Sequence, residues 1–121
     1  MLETQLTEEN ISKLVNVFYA KIRKHKELGP IFNNAIHNWE EHLIKLTSFW
    51  KDRMLNTREF IGNPPRAHLD LPKFDLTLFE EWLKIFHETV NQIYIPEIAE
   101  LYVEKSKNIA FNLQRILSLK S

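Results

Sequence analysis

Five histidines are the residues of this chain best suited to hold a metal, and the most constrained of them is His68. It sits in the segment PPRAHLDLPKF, with Pro64 and Pro65 before it and Pro72 after it. Proline starts a helix but cannot continue one, so at most a turn or two of helix carries this ring. Leu69 and Leu71 follow it, and an aromatic-rich stretch begins a few residues later. A histidine on a short, stiff, proline-bounded piece that faces an apolar interior can present one imidazole nitrogen to a metal. A partly buried loop histidine fits the same segment, which alone does not separate the two.

Spacing removes most metal sites. A di-iron bundle needs Glu-x-x-His pairs on facing helices, and no histidine here has a glutamate three residues before it. The zinc-protease pattern His-Glu-x-x-His is absent, because His87-Glu88 is followed by no second histidine. With no cysteine in the chain, disulfides, thiolate catalysis, zinc–thiolate sites and iron–sulfur clusters are excluded. The cluster from His37 to His42 could gather ligands, but Glu40 and Glu41 fall on the solvated side of the helix that turns His42 inward. His25 lies in the lysine-rich run KIRKHKELG and is expected at the surface. His87 flanks Phe86 off the apolar stripe and is expected there too. Two inward histidines remain, His42 and His68. Isolated histidines in an aromatic-rich chain suit a cofactor that brings most of its own ligands. Haem needs only one axial imidazole from the protein.

The elements that must position these residues are helical. From Thr7 to about Lys26, Ile11, Leu14, Val15, Phe18, Tyr19 and Ile22 follow helical spacing. Thr7 with Asn10 is a start signal, and Gly29-Pro30 is read as a stop. A second helix is predicted from about Asn38 to Met54, with Trp39, His42, Leu43, Leu46, Phe49 and Trp50 on its apolar stripe. The stretch from Asn56 to Pro64 has no period and reads as a loop. A third helix is predicted from near Asp75, with Phe79, Trp82, Leu83, Phe86, Val90 and Ile93 inward. Pro96 opens a fourth, carrying Ile98, Leu101, Tyr102, Ile109, Leu113, Ile116 and Leu117. No segment alternates like a strand. Four sizeable helices result, in an all-α domain. Roughly twenty residues of little regular structure separate Met54 from Asp75, which is unusual in a compact helical domain unless the stretch has a task. His68 lies within it.

Composition sets the outer limits. The 121 residues suit one domain spanning 1–121. Eight Phe and three Trp point to a core of large flat side chains. Sixteen basic residues balance sixteen acidic ones, so no net field attracts nucleic acid or an anionic membrane. No stretch approaches the ~20 apolar residues of a membrane span. The N-terminus MLETQLTEEN is polar and acidic, unlike a targeting peptide, so a cytoplasmic protein is expected.

The motifs FY at 18–19, LGPIFNNAI at 28–36, WEEH and LTSFW within 39–50, HLDLP at 68–72 and WLKIF at 82–86 occur together, in order. In that combination the chain resembles a truncated haemoglobin of the third group, over essentially its whole length. The glycine–glycine pairs that mark the first two groups are missing. The resemblance implies a globin-like two-on-two helical sandwich, with a minimal first helix and a largely unwound proximal region ahead of the iron ligand. It implies haem b (iron protoporphyrin IX) as cofactor and His68 as its axial ligand, neutral, with the second ring nitrogen donating to a backbone carbonyl. Asp70, two residues on, then points off the ligand side.

By the same resemblance Tyr19, His42 and Trp82 are the polar groups of the distal side, where phenol and indole can donate to a bound diatomic ligand. His42 has two readings, a further donor or a gate that swings outward in acid. Phe32 resembles the phenylalanine that wedges against the porphyrin, and Leu46, Phe49 and Phe86 are expected on its faces. Trp50 fits either the pocket or the core. Arg66 and Lys45 are candidates for a propionate, and neither is assigned. The implied function is binding of oxygen, and of NO and CO, in oxygen handling or reactive nitrogen and oxygen chemistry by a monomer. The alternative is a haem enzyme, a peroxidase or a nitric-oxide dioxygenase served by a separate reductase. A non-haem helical interaction module is the remaining class, and a missing Soret band would select it.

Overall fold

The structure is a computed structural model and describes residues 1–119. Six helices follow in order: α1 (Glu8–Lys24), α2 (Leu28–Ala35), α3 (Trp39–Leu55), α4 (Pro64–Leu69), α5 (Leu78–Ile93) and α6 (Pro96–Ser118). Among the described residues the one β pairing is an isolated bridge between Glu3 and Tyr94. Helix α1 packs on α2, α3 and α5, α5 packs on α6, and α4 rests against α6. The pairs α1–α3 and α5–α6 thus meet through α1 and α5, the two-on-two arrangement.

Helix α1 starts where its sequence directs. The Thr7 hydroxyl accepts from the Asn10 amide at 3.1 Å, and the Asn10 side chain accepts from the Thr7 amide at 3.0 Å. This reciprocal pair satisfies two N–H groups that a helix start leaves open. Asn10 also reaches across the molecule, where its Oδ1 accepts from the Tyr94 hydroxyl at 2.9 Å. Tyr94 has one proton and spends it there, so the Tyr102 hydroxyl, 2.9 Å away, donates to Tyr94. Burial pushes the Tyr94 phenol up to about 12 and Tyr102 further still, so both remain neutral donors. The chain Tyr102–Tyr94–Asn10 ties the start of α1 to the α5–α6 junction.

Gly29-Pro30 does not end a helix, as the sequence suggested; it lies at the start of α2. Proline is tolerated in the first turn, where its missing N–H would have no partner. The glycine is required by a close approach: a Cβ at Gly29 would lie 2.7 Å from the Arg23 carbonyl oxygen. Backbone cannot yield as a flexible side chain does. Gly29→Ala is therefore expected to cost about 1–3 kcal/mol, and urea denaturation checks it; an unchanged midpoint would mean that the corner is loose.

Helix α3 is capped by Asn38, whose side chain accepts from the Glu41 amide, and ends at Asn56 in the left-handed region. The irregular stretch that follows is pinned from beneath. Lys51 reaches Glu59 at 2.7 Å and Glu8 at 3.1 Å, and the Arg58 amide donates to Asp52 at 3.2 Å. Asn63 caps α4, whose first two residues are Pro64 and Pro65. The six residues of α4 are the turn or two that the prolines permit. Asp75 caps a turn and not the helix: its carboxylate accepts from the Thr77 amide and hydroxyl, and α5 begins at Leu78.

Candidate functional site

One cavity of about 310 Å³ lies among α1, α2, α3, α4, α5 and α6. That size suits a small-molecule or cofactor pocket. Its walls are mostly apolar. Helix α2 contributes Leu28, Ile31, Phe32 and Ala35, α3 contributes Leu46, Phe49 and Trp50, and the far wall holds Leu71, Phe74, Phe79, Ile109 and Leu113. The polar groups that reach it are Tyr19, His42, Lys45, Asn63, His68 and Trp82. Phe32 was singled out from the sequence, but the helix that carries it, α2, was not, and Ile109 and Leu113 of α6 were read as part of an apolar stripe and not as wall.

His68 enters from α4. Its Nδ1 lies 2.7 Å from the Pro64 carbonyl oxygen. A carbonyl can only accept, so Nδ1 carries the proton and, in the neutral ring, Nε2 keeps its lone pair. The short helix and its prolines fix that orientation. Asp70 is exposed and lies 3.7 Å from Arg66, so it takes no part in the His68 contact.

Tyr19 enters from α1 and is 5 % exposed. Burial drives its phenol well above the ordinary tyrosine range, and a hydrogen bond with the Trp82 side chain opposes this in part. The phenol is therefore a permanent donor. The ring is held by Phe18 (4.8 Å between centroids), Phe32 (5.9 Å) and Trp39 (6.1 Å). Trp82 enters from α5 and stacks on Phe86 at 5.4 Å and 3°. His42, half-buried on α3, has its pKa lowered by burial first and by Lys45 second. Its ring sits edge-on to Trp39 at 6.1 Å. Lys45 is the one charged side chain among the lining residues.

Seven of the eight residues singled out above as ligand or wall border the cavity: Tyr19, Phe32, His42, Leu46, Phe49, His68 and Trp82. Phe86 does not. It is 1 % exposed and lies one layer back, between Trp82 and Trp50, which it stacks at 5.0 Å. Its place on the apolar stripe of α5 was right, but the larger Trp82, a turn earlier, covers it. Trp50 does both things open to it, bordering the cavity and filling the core. Two histidines differ from expectation. His87 is half-buried with Nε2 3.3 Å from Ser106 Oγ, and His25 is half-buried with contacts to the start of α2 and to α5. A helix-period argument missed both because their partners come from other elements.

Among the described residues no group of three or more His, Asp or Glu side chains gathers to hold a bare ion. The cavity instead offers one oriented imidazole, flat apolar walls and a lysine at the edge. That donor set fits a planar macrocycle that brings its own nitrogens and needs a single axial ligand.

No protein-family model matches the chain. It is 41% identical over 116 residues to the group 3 truncated haemoglobin of Campylobacter jejuni, covering 93% of this chain and 91% of that protein. The crystal structure of group III truncated haemoglobin from the same organism superposes with a TM-score of 0.93 at 40% identity. That likeness covers 97% of this chain and 95% of the other.

Proposed function

The chain belongs to the group III truncated haemoglobins, and from that premise we propose that its cavity holds haem b with His68 as axial ligand and binds oxygen, NO and CO. Haem, when bound, would supply an iron that takes such diatomic ligands. The observation that carries this reading is the His68–Pro64 contact, which leaves Nε2 as the free donor of an imidazole bordering the cavity. The carbonyl fixes the tautomer and ring orientation and raises the basicity of Nε2. Phe32, Leu46 and Phe49, which line the cavity, would exclude water from the bound cofactor. Lys45, the cation of the lining, would meet a propionate at the edge.

Tyr19 and Trp82 would then donate to the bound ligand. Both are donors in any physiological state: the phenol because burial keeps it protonated, the indole because its N–H has no acceptor form. Two donors favour slow release, which suits capture of oxygen or chemistry on it better than storage. Protein expressed with adequate haem supply tests the reading. One haem per chain with a Soret band is expected, and colourless protein would overturn it.

His42 adds a pH dependence. Its folded pKa lies below the ordinary 6.5, so the ring is neutral at pH 7. A depressed histidine contributes stability that is present above pH ~6.5 and lost as pH falls through the folded value. In acid the charged ring leaves its half-buried position, and ligand entry speeds up. Stopped-flow CO binding is expected to accelerate below pH ~6.5 in the parent and to stay flat in His42→Ala. Identical profiles would remove His42 from this role.

A further inference from the structure

Helix α2 has no cap of its own. Its N-cap residue, Glu27, makes no side-chain hydrogen bond to the first turn. Open N–H groups at a helix start need acceptors. Here they find one imidazole, that of His25, three residues before the helix. Its Nδ1 accepts from the Leu28 amide at 3.0 Å and from the Glu27 amide at 3.1 Å. The His25 carbonyl takes the Gly29 amide at 2.9 Å. The corner is close-packed, since the Arg23 carbonyl leaves no room for a Cβ at Gly29.

The contacts define the tautomer. A nitrogen that accepts two N–H groups carries no proton, so the proton of neutral His25 is on Nε2. There it faces Glu81 of α5, with Nε2 3.5 Å from Oε2. A second proton on Nδ1 would abolish the acceptor and set a positive charge against the positive end of α2. The charged group that contacts the ring is Glu81 on α5, and Glu27, Lys24 and Lys26 flank His25 in sequence. Glu81 keeps its Nε2–H partner in both states, so the contacts that a second proton removes are those of the α2 cap.

What α2 carries makes this matter. Leu28, Ile31, Phe32 and Ala35 form one wall of the cavity, and Phe32 also contacts the Tyr19 ring. We propose that His25 is a positioning residue for that wall: as the Nε2–H tautomer it caps α2 and holds Ile31 and Phe32 in place, and protonation releases the cap. This goes beyond the haem reading and does not depend on it, because the cap and the wall are features of the chain alone.

The test is nuclear magnetic resonance of the protein as purified, from pH 8 down to pH 5. In its neutral form the His25 ring is expected to carry its proton on Nε2. As Nδ1 gains a proton, amide exchange over 28–35, corrected for its intrinsic pH dependence, is expected to rise about tenfold, the order of one lost cap. The amides of α6 should not follow. In His25→Leu the exchange of α2 should be fast throughout and flat with pH. A neutral ring with its proton on Nδ1 overturns the proposal without any variant. So does an α2 exchange profile that is the same in the parent and in His25→Leu. Haem content is read separately, so a colourless protein with the expected α2 profile would remove the haem reading and keep this one.

Discussion

His68→Ala is expected to lose stable haem binding, and added imidazole to restore it. The side chain is one of two histidines that border the cavity, and the other, His42, enters from a different wall and has Trp39 at its edge. Removing the ring costs the fold little. It deletes one hydrogen bond to the Pro64 carbonyl, about 0.5–1.5 kcal/mol, from a six-residue helix with no fully buried residue. Binding should therefore fail while the helical content stands. Free imidazole fits the space left by the ring and brings the same donor. Haem held as tightly by His68→Ala as by the parent, without imidazole, would contradict the assignment.

The second large effect concerns ligand release. Tyr19→Phe keeps the ring against Phe18, Phe32 and Trp39 and deletes only the hydroxyl. Trp82→Phe keeps an aromatic ring on Phe86 and deletes the indole N–H. Each lost donor is worth about 1.5 kcal/mol toward a polarised ligand, and 1.4 kcal/mol is tenfold in an equilibrium constant. Oxygen dissociation should quicken about tenfold in each variant and, where the two act independently, about a hundredfold in the double variant. Stopped-flow replacement of oxygen by CO reads this directly. An unchanged rate in Tyr19→Phe would take the phenol out of the site. A double variant no faster than either single one would mean that the two donors act as one unit, as their mutual contact allows.

Much of the fold was legible because local chemistry and packing agree in this chain. Thr7 and Asn10 place the start of α1, Asn38 caps α3, and Pro96 opens α6, each by a side chain or ring acting on its own backbone. Helix α2 was hidden because Gly29-Pro30 carries two opposite meanings. After α1 it reads as a stop, yet both residues suit a helix's first turn. What separates them is the Arg23 carbonyl, six residues away in sequence and in contact only once the corner has formed. The same cause hid His25 and His87. A lysine-rich run looks solvated, and nothing in it announces that Glu81, from α5, completes the contacts of the imidazole. Phe86 failed in a subtler way. Helical period tells which face of α5 is inward but not which inward residue reaches the cavity first, and Trp82 covers that ground. His68 was the reverse case, since three prolines confine it before any tertiary contact is known.

The most direct measurement is a crystal structure of the haem-loaded protein in the ferrous state. The account predicts iron within bonding distance of His68 Nε2, with Nδ1 still donating to the Pro64 carbonyl and with Tyr19 and Trp82 on the opposite face. Iron held by His42, or haem seated outside the cavity that α2, α3 and α4 enclose, would contradict it.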